Sequence, residues 1–183
     1  FGCTEDRAGA GVGTDGNGMG IGVADVDRDG RLDFFVSSFD VLSGGVLVSA
    51  NRLYRNLGSR RFQDVAQAWG VTDSSWGWGA VFLAADTDSR QDLLVTNGYS
   101  YTANPSQPRP PNHVSDARTD RTRFFRNTGT SMTETGLTWG VTDTQLGHGV
   151  CVLDYDNDGD VDMVIGNLYG PWILYRYNDP APS

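Results

Sequence analysis

Two stretches of this chain gather carboxylates around a glycine. "DVDRDGRLD" runs from Asp25 to Asp33 and "DYDNDGDVD" from Asp154 to Asp162. In the first, Asp25, Asp27 and Asp29 alternate with other residues, Gly30 permits a sharp reversal, and Asp33 returns a further carboxylate from the start of the next strand. Asp154, Asp156, Asp158 and Asp162 take the same places around Gly159. Carboxylates this close repel one another: at ~4 Å a single like-charge pair costs about 4 kcal/mol at an effective dielectric of about 20. A cation relieves that repulsion, and an all-oxygen shell of flexible geometry suits Ca2+ best. The backbone carbonyls of Arg31 and Asp160 complete the expected shell, giving two calcium sites. An EF-hand opens in the same way but needs a Glu at the twelfth loop position. Val36 and Ile165 stand there, inside apolar strand patterns, so the EF-hand reading fails. One such turn could be a soluble hairpin tip and nothing more. Two full copies, in register with other repeated marks, favour a metal.

A third turn, "DTDSRQD", lies between them. Matched on its first Asp it is two residues shorter, lacks the glycine, and carries Arg90 where the third carboxylate would fall. Asp86, Asp88 and Asp92 remain. A guanidinium can neutralise carboxylates with forked hydrogen bonds. The expectation is a degenerate loop in which Arg90 replaces the ion.

The elements that must hold these turns are repeated with them. "GMGIGVADVDRDGRLDFFVSSF", "GWGAVFLAADTDSRQDLLVTNGY" and "GHGVCVLDYDNDGDVDMVIGNLY" share a glycine pair, an apolar strand and an acidic turn. "RLYRNLG", "RFFRNTG" and "ILYRYND" form a second shared block; "WGVTD" at Trp69 and Trp139, with the weaker "GAGVGTD" from Gly9, forms a third. Leu32, Phe34 and Val36 alternate with other residues as half-buried strands do. Each unit therefore reads as four short strands, and a repeated four-stranded unit is the mark of a β-propeller blade. The fold class is all-β: about three blades, forming a partial propeller or one completed by another chain. The units span about 12–66, 70–136 and 140–178. Residues 1–11 read as a closing strand of a neighbouring or the last blade, and 100–120 as an inserted proline-rich loop.

The acidic turns resemble the calcium loops of FG-GAP and VCBS repeats, as found in integrin α-subunit propellers. The longer pattern "NRLYRNLGSRRFQDVAQAWGVTD…GWGAVFLAADTD" from Asn51 is similar to the repeat region of ASPIC/UnbV-type proteins, among them cartilage acidic protein and bacterial secreted relatives. The resemblance covers nearly the whole chain except the proline-rich loop. It implies a propeller with calcium in the first hairpin turn of each blade, in an extracellular or cell-surface setting, with no defining set of catalytic residues. The eroded second turn and the small number of repeats depart from the pattern.

Other features narrow the function. The net charge is −9, the wrong sign for a surface that must displace counterions from nucleic acid. No apolar run approaches the roughly 20 residues that span a bilayer, and no signal-peptide pattern opens the chain at Phe1. Cys3 and Cys151 lack metal or redox spacing; two small buried residues and one disulfide in an oxidising compartment are both open readings. His113 and His148 belong to no catalytic motif. The expectation is a non-enzymatic extracellular module with structural, adhesive or self-assembly roles. Its partners would be itself, head to tail, or other extracellular proteins or glycans. A carbohydrate-binding propeller presenting Trp76, Trp78, Tyr99 and Tyr101 is the alternative, and part of a polysaccharide-degrading enzyme a more distant one. No N-glycosylation sequon occurs.

Overall fold

Short β-branched and aromatic runs broken by glycine and aspartate give thirteen strands, β1 to β13, and two single helical turns among the described residues. A computed structural model describes residues 7–13, 17–39, 41–43, 46–86, 88–99 and 120–177. The first sheet has the order β1-β2-β5-β6, formed by Ile21–Ala24, Asp33–Val36, Arg52–Gly58 and Arg61–Asp64, all antiparallel. The second repeats it as β7-β8-β9-β10, from Gly77–Leu83, Asp92–Asn97, Arg123–Asn127 and Met132–Glu134. The third consists of β11 (Gly147–Leu153), β12 (Asp162–Asn167) and β13 (Ile173–Tyr175). A small hairpin, β3 (Val41–Ser43) with β4 (Val46–Ser49), is inserted between β2 and β5. Among the described residues none of the sheets closes on itself, and they form the all-β, propeller-like array expected from the repeats.

The blades stack through two apolar layers. Phe35, Leu53 and Trp69 from the first blade meet Phe82, Leu93 and Phe125 of the second. On the second blade's other face, Leu83, Leu94 and Phe124 meet Val150, Val152 and Met163 of the third. Alternate residues of each strand thus serve opposite layers, as a period of two requires.

The hub and the junctions depend on glycine. A Cβ on Gly79 would lie 2.8 Å from the carbonyl oxygen of His148, and one on Gly20 would collide with that of Trp78. The absent side chains let β1 approach β7, and β7 approach β11. Between blades the chain makes one helical turn. In α2 (Ala66–Trp69), Gly70 closes the turn with φ 74°, and Val71 N–H donates to Ala66 O at 3.0 Å, a left-handed helix stop that favours glycine. Gly140, φ 75°, does the same after the second blade, with Val141 N–H donating to Gly136 O at 2.8 Å.

One expectation is corrected. Residues 1–11 were expected to form a closing strand, but Arg7–Ala10 form the helical turn α1. Gly11, φ 74°, follows it as Gly70 follows α2, so this segment is the junction that comes after a closing strand. Residues 1–6, the C-terminal residues from 178 and most of the 100–120 loop lie outside the described residues.

Candidate metal centres

Each acidic turn joins the first two strands of its blade, and the register shows that the three turns are equal in length. Ala24 pairs with Asp33, Leu83 with Asp92 and Leu153 with Asp162. Ala84 therefore occupies the place of Asp25 and Asp154, Asp86 that of Asp27, Asp88 that of Asp29, and Arg90 that of Arg31. This corrects the shorter alignment made on the first Asp. The middle turn has lost the first carboxylate of the set, not the third, and Ser89 stands in the glycine's place at φ 59°.

The last aspartate of each turn is a latch. Asp33 accepts the backbone N–H of Val26 at 3.0 Å on one oxygen and that of Asn56 at 2.7 Å on the other. Asp92 takes Ala85 at 3.3 Å and Asn127 at 2.8 Å; Asp162 takes Tyr155 at 3.0 Å and Tyr177 at 2.9 Å. All three carboxylates are buried, and each ties the turn to the third strand of its blade. Burial, outweighing these hydrogen bonds, raises the pKa of Asp33, and it pushes that of Asp92 up to about 6.

The first aspartate shapes the turn. Asp25 accepts N–H groups from Asp29 at 3.0 Å and Gly30 at 2.8 Å, and Asp154 accepts those of Asp158 at 3.2 Å and Gly159 at 3.1 Å. As a result, ligand atoms of Asp25, Asp27 and Asp33 all lie within 4.8 Å of one another, as do those of Asp154, Asp156 and Asp162. These two clusters could hold a metal ion. Among the described residues Asp86, Asp88 and Asp92 form no such group. Asp29 and Asp158, expected as ligands, are turned to arginines. Asp29 pairs with Arg31, and Asp158 meets Arg176 at 3.0 Å. Asp158 is held below the usual carboxylate range by the Asp160 backbone N–H and by Arg176. The N–H of Asp160 donates to Asp158 Oδ1 at 3.0 Å.

Sequence reasoning missed a third component, the arginine of the third strand. Arg55, Arg126 and Arg176 occupy one repeat position and reach the aspartate at the third residue of each turn. Arg55 Nε pairs with Asp27, Arg126 Nη2 with Asp86 at 2.6 Å and Arg176 Nε with Asp156 at 2.6 Å. The repeated "YRN", "FRN" and "YRY" carried this signal, since an arginine recurs at the same place in each copy of that block. In the middle turn Arg90 pairs with Asp88 at 2.8 Å as Arg31 pairs with Asp29 in the first, so two guanidiniums meet the carboxylates of each of these turns. In the third, Arg176 meets Asp156 and Asp158 of a turn that carries five aspartates. Asp156 Oδ1 there is shut off from solvent and accepts no hydrogen bond among the described residues.

The aromatic candidates are engaged within the protein. Trp76 stacks on Phe39 at 4.2 Å and on Tyr99 at 3.8 Å between ring centroids. Trp78 stacks on His148 at 4.0 Å and donates Nε1–H to Gly98 O at 2.7 Å; burial lowers the His148 pKa. Tyr101 and His113 lie outside the described residues. Cys151 is free and exposed, and Cys3 lies outside the described residues. No helix among the described residues is long and apolar enough to cross a membrane. No protein-family model matches the chain, and no curated protein matches it.

Proposed function

We propose that this chain is a non-enzymatic, calcium-stiffened propeller segment with a structural role outside the cell. The observation that carries the reading is the third turn, where three carboxylates converge and a buried oxygen of Asp156 has no hydrogen-bond donor. An unsatisfied buried acceptor is costly, and a hard cation with oxygen ligands satisfies it while relieving the repulsion. Asp154, Asp156 and Asp162 would hold the ion there, and Asp25, Asp27 and Asp33 in the first turn. The ion's contribution is to fix a turn that joins two core strands, so its binding free energy adds to folding free energy. The middle turn, without the first carboxylate and with Ser89 in the glycine's place, takes none.

Calorimetric titration of the chelator-treated chain with Ca2+ tests this. Two ions per chain are expected, falling to one in Asp27→Ala and in Asp156→Ala and staying at two in Asp86→Ala. A chain that takes up no calcium, or whose melting temperature is unchanged by chelation, would overturn the reading.

A further inference from the structure

The two candidate metal turns are alike in geometry and unlike in charge. In each, ligand atoms of three aspartates lie within 4.8 Å of one another. In each, the first aspartate accepts two backbone N–H groups and the last is a buried latch. What surrounds those ligands differs. The first turn with its third-strand arginine brings four aspartates, Asp25, Asp27, Asp29 and Asp33, against three arginines, Arg28, Arg31 and Arg55. The third brings five, Asp154, Asp156, Asp158, Asp160 and Asp162, against one, Arg176. The formal balance is one negative charge in the first and four in the third.

Two positions make the difference. By the register of the turns, Arg31 in the first stands where the third has Asp160, and Arg28 where it has Asn157. Arg31 pairs with Asp29 and donates its Nε–H to Asn56 O at 2.8 Å, while Arg55 Nε pairs with Asp27. Each of these two aspartates thus has its own guanidinium. In the third turn Arg176 is divided between Asp156 at 2.6 Å and Asp158 at 3.0 Å. Asp156 Oδ1 is there the buried oxygen without a donor.

A divalent cation responds to this imbalance directly. Charge–charge energy scales with the product of the charges, so each unit charge near the site acts twice as strongly on Ca2+ as on a monovalent ion. Calcium loops of the same oxygen geometry differ in affinity by orders of magnitude through their charge count. The first turn also has a neighbour that registers its state. Val26, buried within the turn, donates its N–H to Asp33 at 3.0 Å, and its carbonyl accepts Asn127 Nδ2–H of the second blade at 2.9 Å. Asp25 and Asp27 flank Val26 in the chain. An ion held by Asp25, Asp27 and Asp33 therefore fixes the point at which the first blade is tied to the second.

We infer that the two calcium sites are unequal and have separate roles. The third turn binds its ion tightly and stays loaded. The first binds at least about tenfold more weakly, and it fills and empties as the surrounding calcium concentration changes. Arg28 and Arg31 set that weaker affinity. Occupancy of the first turn regulates how firmly Val26 holds Asn127, so calcium concentration tunes the joint between the first two blades. The inference rests on the calcium reading of the turns and adds the order in which they fill.

Calcium calorimetry on single-site chains at low salt tests it. Asp27→Ala leaves the third turn and Asp156→Ala leaves the first. The third turn should bind Ca2+ at least about tenfold more tightly than the first, and the wild type should titrate in two steps. The gap should narrow in about 0.5 M NaCl, because screening weakens the charges around the sites and leaves their geometry alone. Exchanging the deciding residue should move each site toward the other: Arg31→Asp tightens the first turn and Asp160→Arg weakens the third. Amide exchange at Val26 in the wild type should slow over the calcium range of the weaker step. Equal affinities, a tighter first turn, a gap that neither salt nor exchange moves, or Val26 protection that follows the tighter step would each overturn the inference while two ions still bind. A chain that binds no calcium would overturn the calcium reading and this inference together.

Discussion

Asp33 and Asn56 are joined through one carboxylate oxygen and one backbone N–H at 2.7 Å, and the same bond recurs between Asp92 and Asn127 and between Asp162 and Tyr177. A side chain at the foot of the second strand thereby holds the end of the third. The bond is present in the turn that lacks its first carboxylate as well as in the two metal candidates, so it belongs to the blade and not to the ion.

Asp33→Ala, measured by urea unfolding in chelator, should cost about 3 kcal/mol, because two N–H groups lose their acceptor at about 1–3 kcal/mol each. Asp33→Asn keeps one acceptor and should cost about half of that. Equal losses in the two variants would show that the paired hydrogen bonds are not what holds the turn.

Carboxyl NMR should find Asp92 titrating near pH 6. Its folded pKa lies above that of the unfolded chain, so the folded state binds the proton more tightly. The stability this group contributes is full below about pH 4, the usual aspartate value, and is lost as pH rises through 6. A midpoint below 4.5 would contradict the burial that sets it.

Removing the competing guanidinium should favour the cation. Arg176→Met leaves Asp156 and Asp158 without their arginine, so calcium binding at the third turn should tighten while the ion-free chain melts lower. Weaker calcium binding would mean that Arg176 orients the ligands instead of competing for them.

Restoring the middle turn tests what it lacks. Ala84→Asp with Ser89→Gly recreates the first carboxylate and the glycine, leaving Arg90 where the first turn has Arg31. The double variant should bind three calcium ions by calorimetry. A count that stays at two would place the defect elsewhere in the turn.

Equivalent positions in the repeat should differ in energy where their neighbours differ. Leu53→Ala, in the layer between the first two blades, should cost between about 2 and 5 kcal/mol. Leu174→Ala, at the same position of the third blade and 47% exposed, should cost less than about 1 kcal/mol in the single chain. Similar losses would mean that Leu174 is covered within one chain.

The strands and the two intact turns were legible because alternation and carboxylate spacing are local signals. The middle turn was misaligned for the same reason. Matching Asp86 to Asp25 uses the nearest DxD, whereas the true register is fixed by Asp92 reaching back to the N–H of Ala85, a hydrogen bond with no local signature. Arg55, Arg126 and Arg176 were overlooked because their partners are distant in sequence. The junction at Gly11 was taken for a strand because residues 1–6 carry the strand pattern and the helical turn after them is only four residues long.

The contrast between a side-chain-free hub and a bulky rim makes each blade a wedge. Gly20 and Gly79 let inner strands touch backbone to backbone, while Trp69 and Met132 keep the outer part of the same layer apart. That difference in thickness sets how far each blade is turned from the one before it. The bend of the whole arc is thus encoded at the hub by two missing methyl groups. Gly79→Ala would thicken only the narrow end of the wedge, flattening the arc and altering how many blades make a full circle, with the acidic turns left as they are.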